Sequence, residues 1–427
     1  MNHSYNKHQQ QVWGCLLALN PPKAIRIDCT ADSYTVGRDP KLCSLVVFDK
    51  TLRCSKEHFR IYLTGGIPCI EDCSYNGTIV NGNKICKRMI PLPDRAEIEI
   101  KWDLYFVFIN AKCRDQTLLQ SITDRYCVFE TQVLGQGTFA IVKMAIDLHT
   151  LERVACKIID TKRIQLNKRG TSDLEASLAV AQQEVSVLRL VEHPNIVSIK
   201  DVVVSHENNA VYIFLTRISG GELFDHIVNS EGIEESEAKF IFYQLLLAVK
   251  YLHDHNICHR DLKAENILLE SSKPFSRLLI SDFGMAKALQ NSLQQMQTKC
   301  GTFTYLAPEI LDSPGGYSYQ VDCWALGVLL FTMLAGALPF GTDADHAILI
   351  DRIRRVEYSF EDDPWPSISN DAKSMVSALL QADASKRLDV TQALNHPWII
   401  GHSEILAKLY AKMLKKAGME NNGIPIV

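Results

Sequence analysis

Five short segments, in one order along 427 residues, carry side chains suited to gripping phosphates. Leu134-Gly-Gln-Gly-Thr-Phe-Ala-Ile-Val142 brackets one residue with two glycines, which lets backbone amides approach phosphate oxygens. Taken alone, such a turn is more often a plain hairpin. Val154-Ala-Cys-Lys157 comes one strand later and ends on a lysine that can hold two phosphates of a nucleotide. That lysine needs a carboxylate to fix it, and Glu184 is well placed, although solvated surface charges are the common fate of Lys and Glu. His259-Arg-Asp-Leu-Lys-Ala-Glu-Asn266, Ser281-Asp-Phe-Gly284 and Ala307-Pro-Glu309 complete the series. No purely structural role explains all five in fixed order.

A second group lies earlier in the chain: Tyr34-Thr-Val-Gly-Arg-Asp39, Arg53-Cys-Ser-Lys-Glu-His-Phe59, Asp72-Cys-Ser-Tyr-Asn-Gly-Thr78 and Asn81-Gly82. Arg38 offers a planar fork for phosphate oxygens, and Ser55 offers a hydroxyl.

Two kinds of element must position these groups. Short runs rich in β-branched and aromatic residues (Ile25–Ile27, Leu45–Phe48, Phe59–Tyr62, Thr78–Val80, Tyr105–Ile109) are separated by turn-prone Asp-Pro, Gly-Gly and Asn-Gly. They predict a β-sandwich over residues 12–112. A polar linker follows over 113–125. From Tyr126 strands come first, then helical segments at Phe240–His253, Val321–Ala335, Asp371–Ala382 and Val390–Leu394. A final amphipathic stretch, Ile405–Lys416, spaces Leu406, Leu409, Tyr410, Met413 and Leu414 between lysines, so that it can pack on the larger domain or on a partner. Its Lys412, Lys415 and Lys416 read as a solvated face in preference to part of a nuclear import signal.

The five segments resemble the eukaryotic protein kinase family over residues 126–400. The resemblance implies a small sheet-rich lobe and a large helical lobe, with ATP and Mg2+ as the bound groups. It implies Asp261 as acceptor of the substrate hydroxyl proton and Lys263 as the cation on the transferring phosphoryl group. Asn266 and Asp282 would hold magnesium, and Lys157 paired with Glu184 would orient the phosphates. Leu134, Gly135, Gly137, Val142, Ala155, Leu215 and Glu222 would line the nucleotide. Lys263 resembles the serine/threonine rather than the tyrosine branch. Asp322 would brace the catalytic loop, and Arg387 would pair with Glu309. Ala140, Ala264 and Phe303 depart from the family pattern, but none removes a catalytic group.

In the loop from Asp282 to Glu309, Thr298 is the main candidate for regulatory phosphorylation and Thr302 the second, with Arg260 to capture the phosphate. Ser292 and Thr304 read as solvated loop. Glu222 and Glu265 lie where basic substrate side chains would pass, which predicts arginine upstream of the target residue.

The earlier group resembles the forkhead-associated domain, an eleven-stranded sandwich that binds phosphothreonine. It implies Arg38, Ser55 and Lys56 on the phosphate and Asn76 and Asn81 on the peptide backbone, with Arg53 and Tyr75 alongside. His58 reads as a buried brace for the loops. The fold class is therefore multidomain, an all-β forkhead-associated sandwich followed by a bilobal α+β protein kinase domain, with a helical tail at 401–427.

The combination resembles the checkpoint kinase 2 family, which acts in DNA-damage and meiotic checkpoint signalling. It implies a phosphothreonine-containing adaptor, a transient homodimer during activation and a nuclear location shared with the cytoplasm. A phosphopeptide-binding scaffold with a silent kinase, and a forkhead-associated kinase outside checkpoint control, stay open at this point. No Ser-Gln or Thr-Gln cluster occurs in the first eleven residues; the Thr-Gln pairs at Thr131 and Thr391 read as structural. A net charge of −4 gives no reason to expect nucleic-acid binding, and no apolar run is long enough to predict a membrane span. The 13 cysteines, with no C-x-x-C pair, read as reduced thiols.

Overall fold

The computed structural model describes residues 12–19, 24–47, 54–100, 104–111, 122, 124–137, 140–160, 185, 188–205, 208–283, 303–312, 318–342 and 346–419. The chain divides into two compact units, residues 1–170 with 201–217, and residues 171–200 with 218–427.

In the first unit, the strands before residue 112 are β1 (Gly14–Ala18), β2 (Ile25–Cys29), β3 (Ser33–Gly37), β4 (Leu45–Val46), β5 (Phe59–Thr64) and β6 (Ile67–Asp72). They continue as β7 (Thr78–Val80), β8 (Asn83–Ile85), β9 (Met89–Pro91), β10 (Ala96–Ile100) and β11 (Leu104–Asn110). One sheet runs β2-β1-β11-β10-β7-β8 and the other β4-β3-β5-β6-β9. Alternation sets the inner faces: Phe59 and Ile61 of β5 are buried while Arg60 and Tyr62 are only partly covered. Trp13, Val36, Phe59, Ile61, Ile70, Ile98, Phe106 and Phe108 share one core.

The same unit carries a second sheet system, β12 (Tyr126–Gln136), β13 (Ala140–Asp147), β14 (Arg153–Asp160), β15 (Ile199–Ser205) and β16 (Ala210–Thr216), in the order β12-β13-β14-β16-β15. Tyr126 stacks on Phe214 at 3.6 Å between ring centres. The linker reading gave no sign that the sandwich and this sheet join. They do: Cys15, Leu17, Leu19, Ala24 and Val107 form a single apolar cluster with Cys127, Phe129, Met144 and Ile146. Polar ties border it, from Arg95 Nη1 to Tyr126 O at 3.1 Å and from Ala24 N to Leu151 O at 3.1 Å.

The second unit is helical apart from the hairpin β17 (Ile267–Leu269) and β18 (Leu278–Ile280). Its helices are α1 (Leu223–Asn229), α2 (Glu235–Asp254), α3 (Pro308–Asp312), α4 (Gln320–Ala335) and α5 (His346–Arg355). After them come α6 (Asn370–Leu379), α7 (Val390–Leu394), α8 (Pro397–Ile400) and α9 (Ser403–Lys416). Helix α4 is apolar nearly all round, as a helix buried on every side must be, and Gly336 ends it at φ 68°. Asp389 and Gln392 form a reciprocal cap on α7, which gives the Thr391-Gln392 pair its structural role. The tail helix α9 buries Leu406, Tyr410 and Leu414. Thr304 departs from the loop reading, since it is buried in a 3-10 turn. No disulfide links the described cysteines, and no helix among the described residues is long and apolar enough to cross a membrane.

Candidate active site and phosphopeptide site

The loop between α2 and β17 carries Asp261, Lys263 and Asn266. Lys263 Nζ lies 3.2 and 3.0 Å from the two Asp261 carboxylate oxygens. Asn266 Nδ2 donates to Asp261 O at 2.8 Å and to its Oδ2 at 2.9 Å. Both bonds use the amide nitrogen, so Asn266 Oδ1 is turned away as an acceptor. Ser281 N and Oγ both donate to Asn266 O, which ties this loop to the backbone just before Asp282.

Asp322 on α4 anchors the loop from behind. Its Oδ2 accepts from His259 N at 2.9 Å and pairs with His253 Nε2 at 2.9 Å; its Oδ1 accepts from Arg260 N at 2.8 Å. Burial pushes this carboxyl up, but the bond from His253 and the nearby imidazoles outweigh it and hold it below the usual carboxylate range. His259 Nδ1 accepts from Asp261 N, so its Nε2 carries the proton that goes to Ser281 O at 3.2 Å. Phe283 packs edge-on against the same imidazole. His253 is a member of this group that the sequence reading missed; the 69 residues separating it from Asp322 leave no local signal.

Arg387 makes a bidentate pair with Glu309, 2.8 and 2.9 Å, and also donates to Gln320 O and Gln381 O. Glu222 precedes α1 and is half-buried; burial first, then the charges of Asp225 and Glu265, raise its carboxyl, with Lys263 opposing. Glu265 keeps a buried Oε2 with no hydrogen-bond partner among the described residues.

In the first unit, Lys157 lies on β14 between Val142 and Ile213, and Ala155 lies between Met144 and Leu215. Gly135 faces Val142 across β12 and β13, and Gly137 N donates to Ala140 O at 2.8 Å. A Cβ added at Gly135 would come no nearer than 4.0 Å to a described protein atom, and at Gly137 no nearer than 3.4 Å. The protein does not itself require glycine at either place. A phosphate brought against the backbone would, which fits the nucleotide assignment. Glu184, Thr298, Thr302, Ser292 and Arg53 lie outside the described residues.

The sandwich gathers its phosphate-binding candidates on three loops knotted at Ser55. Ser55 O accepts from Arg38 N at 3.1 Å, and Ser55 Oγ accepts from Tyr75 N at 3.1 Å, which leaves the hydroxyl proton for a ligand. Ser55 N donates to Nδ1 of buried His58, whose imidazole burial holds below its ordinary value and therefore neutral. Gly37 is required by close approach, because a Cβ there would sit 2.2 Å from Lys56 O. Gly77 has φ 84°, which suits only glycine beside Asn76. Lys56, Asn76 and Tyr75 are exposed at this face, Tyr75 at 94%. The Arg38 Nε is buried and has no hydrogen-bond partner among the described residues.

Asn81, the other residue expected on the peptide backbone, is exposed and tied to β10. Its Oδ1 accepts from Glu97 N and its own N donates to Glu97 O, both at 2.8 Å, with φ 48°. Its amide oxygen is spent on holding the loop to β10. The residue missed here is Asp72, whose Oδ1 accepts from Ser74 Oγ and Thr78 Oγ1 and whose Oδ2 accepts from Lys87 N. Through Ser74 Oγ, which accepts from Gly77 N, it shapes the Asn76 loop.

Comparison with known proteins agrees with this geometry. The protein kinase domain model matches residues 129–399 and the FHA domain model residues 34–101. The chain is a forkhead-associated serine/threonine protein kinase. Among its relatives, the probable serine/threonine-protein kinase fhkC of Dictyostelium discoideum is 35% identical over 94% of this chain and 67% of its own length. The meiosis-specific serine/threonine-protein kinase mek1 of Schizosaccharomyces pombe is 32% identical over 90% of this kinase and 85% of its own length. A solved structure of Rad53 residues 1-466 in complex with AMP-PNP is 30% identical, covers 91% of this kinase and all of that chain, and superposes with a TM-score of 0.55. The kinase thus belongs with the checkpoint kinase 2 type.

Proposed function

We propose that this kinase is recruited through its phosphothreonine site to an adaptor, is switched on by phosphorylation of Thr298 between two copies, and serves DNA-damage or meiotic recombination checkpoint signalling in the nucleus. The observation that carries the catalytic reading is the loop holding Asp261, Lys263 and Asn266 in mutual contact. Asp261 Oδ2 serves both Asn266 and Lys263, whereas Oδ1 meets only Lys263. Oδ1 is therefore the oxygen with capacity for the substrate hydroxyl proton. Lys263 stands ready to turn toward the phosphoryl group as it leaves ATP, and Lys157 to orient the phosphates.

Asn266 Oδ1 and the Asp282 carboxylate are hard oxygen donors of the kind magnesium takes. Magnesium held there would offset phosphate charge during transfer. Glu222 and Glu265 lie close enough for the charge of one to raise the carboxyl of the other, and this pair of acids favours protein substrates with arginine upstream of the target. Arg260, at φ 67°, follows His259 in the loop that Asp322 braces and supports the capture of a phosphate on Thr298.

The test is phosphorylation of an arginine-containing peptide with magnesium-ATP by wild type, Asp282→Ala and Thr298→Ala. Loss of activity by roughly a thousandfold in Asp282→Ala and a clear reduction in Thr298→Ala are expected. A wild type phosphorylated on Thr298 yet inactive would move the function to phosphopeptide scaffolding.

A further inference from the structure

We infer that Thr131 is a phosphorylation site, and that its phosphate opens the joint between the forkhead-associated sandwich and the small kinase sheet. Thr131 lies on β12, the edge strand of its sheet. Between Val128 and Val133 the pairing of β12 to β13 shifts register, so Phe129 to Gln132 have no ladder partners on that strand. This leaves a short extended segment at a sheet edge, the backbone form that a protein kinase takes into its substrate groove. Phe129 of this segment turns into the apolar cluster, but Thr131 is exposed.

What Thr131 touches makes it a joint. Its backbone N donates to Glu97 Oε1 at 3.0 Å, and its hydroxyl donates to Glu97 Oε2. Glu97 belongs to β10 of the sandwich and is only 8% exposed. Both oxygens of a buried carboxylate thus depend on one residue of the kinase sheet. Lys143, the cation on the neighbouring strand, is already paired with Glu130.

Phosphorylation breaks the bond between the γ-phosphoryl group and ADP and joins that phosphorus to Thr131 Oγ1, while the hydroxyl proton passes to the base of the acting kinase. The donor to Glu97 Oε2 is gone, and about two negative charges stand where it was. A buried carboxylate facing a phosphate must move or take up a proton. No arginine stands among residues 126–130, so under the proposed arginine preference the acting enzyme is a different protein kinase.

The experiment uses the full chain with phosphothreonine installed at position 131, and backbone amide exchange followed in β10 and β12. Exchange of residues 96–100 and 129–132 should rise about tenfold over the unmodified protein. The decisive arm is Glu97→Gln, which removes the opposing charge and retains a polar side chain. Phosphothreonine at 131 in that background should exchange within about twofold of Glu97→Gln alone. An unchanged exchange pattern in the phosphorylated wild type would overturn the joint, as would an equal rise with and without Glu97→Gln. Phosphopeptide mapping of the protein from its native cells closes the test. Occupancy at Thr131 supports the site, and its absence in both resting and genotoxically or meiotically stimulated cells defeats it.

Discussion

At the scale of single residues, the catalytic loop is held by one carboxylate. Asp322 is buried and uses both oxygens to receive two backbone amides and one imidazole. Asp322→Asn keeps the volume but turns an N–H toward at least one of those donors. A buried donor facing a donor costs about 1–3 kcal/mol, more where a charged acceptor is lost. The expected outcome is a thermal midpoint lowered by several degrees and a kcat reduced at least about tenfold, because the amides of His259 and Arg260 set the position of Asp261. A variant with unaltered kcat and stability would remove Asp322 from any role in bracing the loop. The same scale shows what the sequence made legible. Asp261, Lys263 and Asn266 stand within one short segment, their types and order mark them as candidates, and the structure brings them into contact. His253 and Asp72 act across the fold or through several backbone amides, and no periodicity marks them. Asn81 has a structural tie that the sequence did not show. An Asn before Gly suits both a ligand contact and a left-handed turn, and the structure shows the turn, with Oδ1 accepting from Glu97 N.

Among the elements, the tail helix shows how an amphipathic pattern acquires a task. The spacing of Leu406, Tyr410 and Leu414 announces a buried stripe, yet it does not say what the stripe meets. The structure places Tyr410 edge-on to Tyr243 of α2 and brings its hydroxyl 2.6 Å from Asn195 Oδ1. Asn195 is fully buried and passes its amide hydrogens to Gln244 Oε1 and Leu278 O, so α9, α2 and β18 share one polar knot. Burial raises the Tyr410 hydroxyl well above its ordinary value, which keeps it a donor at any working pH. Tyr410→Phe retains the ring and leaves Asn195 Oδ1 without this donor. It should cost about 1–3 kcal/mol in urea unfolding, whereas exposed Ile405→Ala on the opposite face should cost less than about 0.5 kcal/mol. Equal effects would mean that the helix adheres by apolar contact alone. A polar knot of this kind is illegible in sequence, because 215 residues separate Tyr410 from Asn195.

On the scale of the whole molecule, the apolar joint decides how the two activities can be separated. The strand runs before residue 112 and the helical periodicity after 235 revealed two fold types, but the polar stretch between them read as a spacer. Nothing in that stretch shows that Cys127, Phe129, Met144 and Ile146 share a core with the sandwich. Those four belong to strands whose alternation points them outward from the kinase sheet, and outward normally means water. Deleting the sandwich would therefore expose an apolar face, of the kind that promotes association, and a loss of kinase activity in such a deletion would say nothing about phosphothreonine. Arg38→Ala is the informative change. Its guanidinium Nε has no hydrogen-bond partner among the described residues, and its backbone N, which the substitution retains, makes the bond to Ser55. Binding of a phosphothreonine peptide by calorimetry should weaken at least about a hundredfold, since a bidentate charged contact to phosphate is lost. The thermal midpoint and the rate toward a soluble arginine-containing peptide should stay within about twofold of wild type. If both binding and catalysis fell together, the phosphate site and the joint would have to be one coupled device, with Ser55, Asn81 and Glu97 as its connecting residues. If binding alone fell, recruitment and catalysis are separable functions of one chain, and the joint at Thr131 is where a cell could link them.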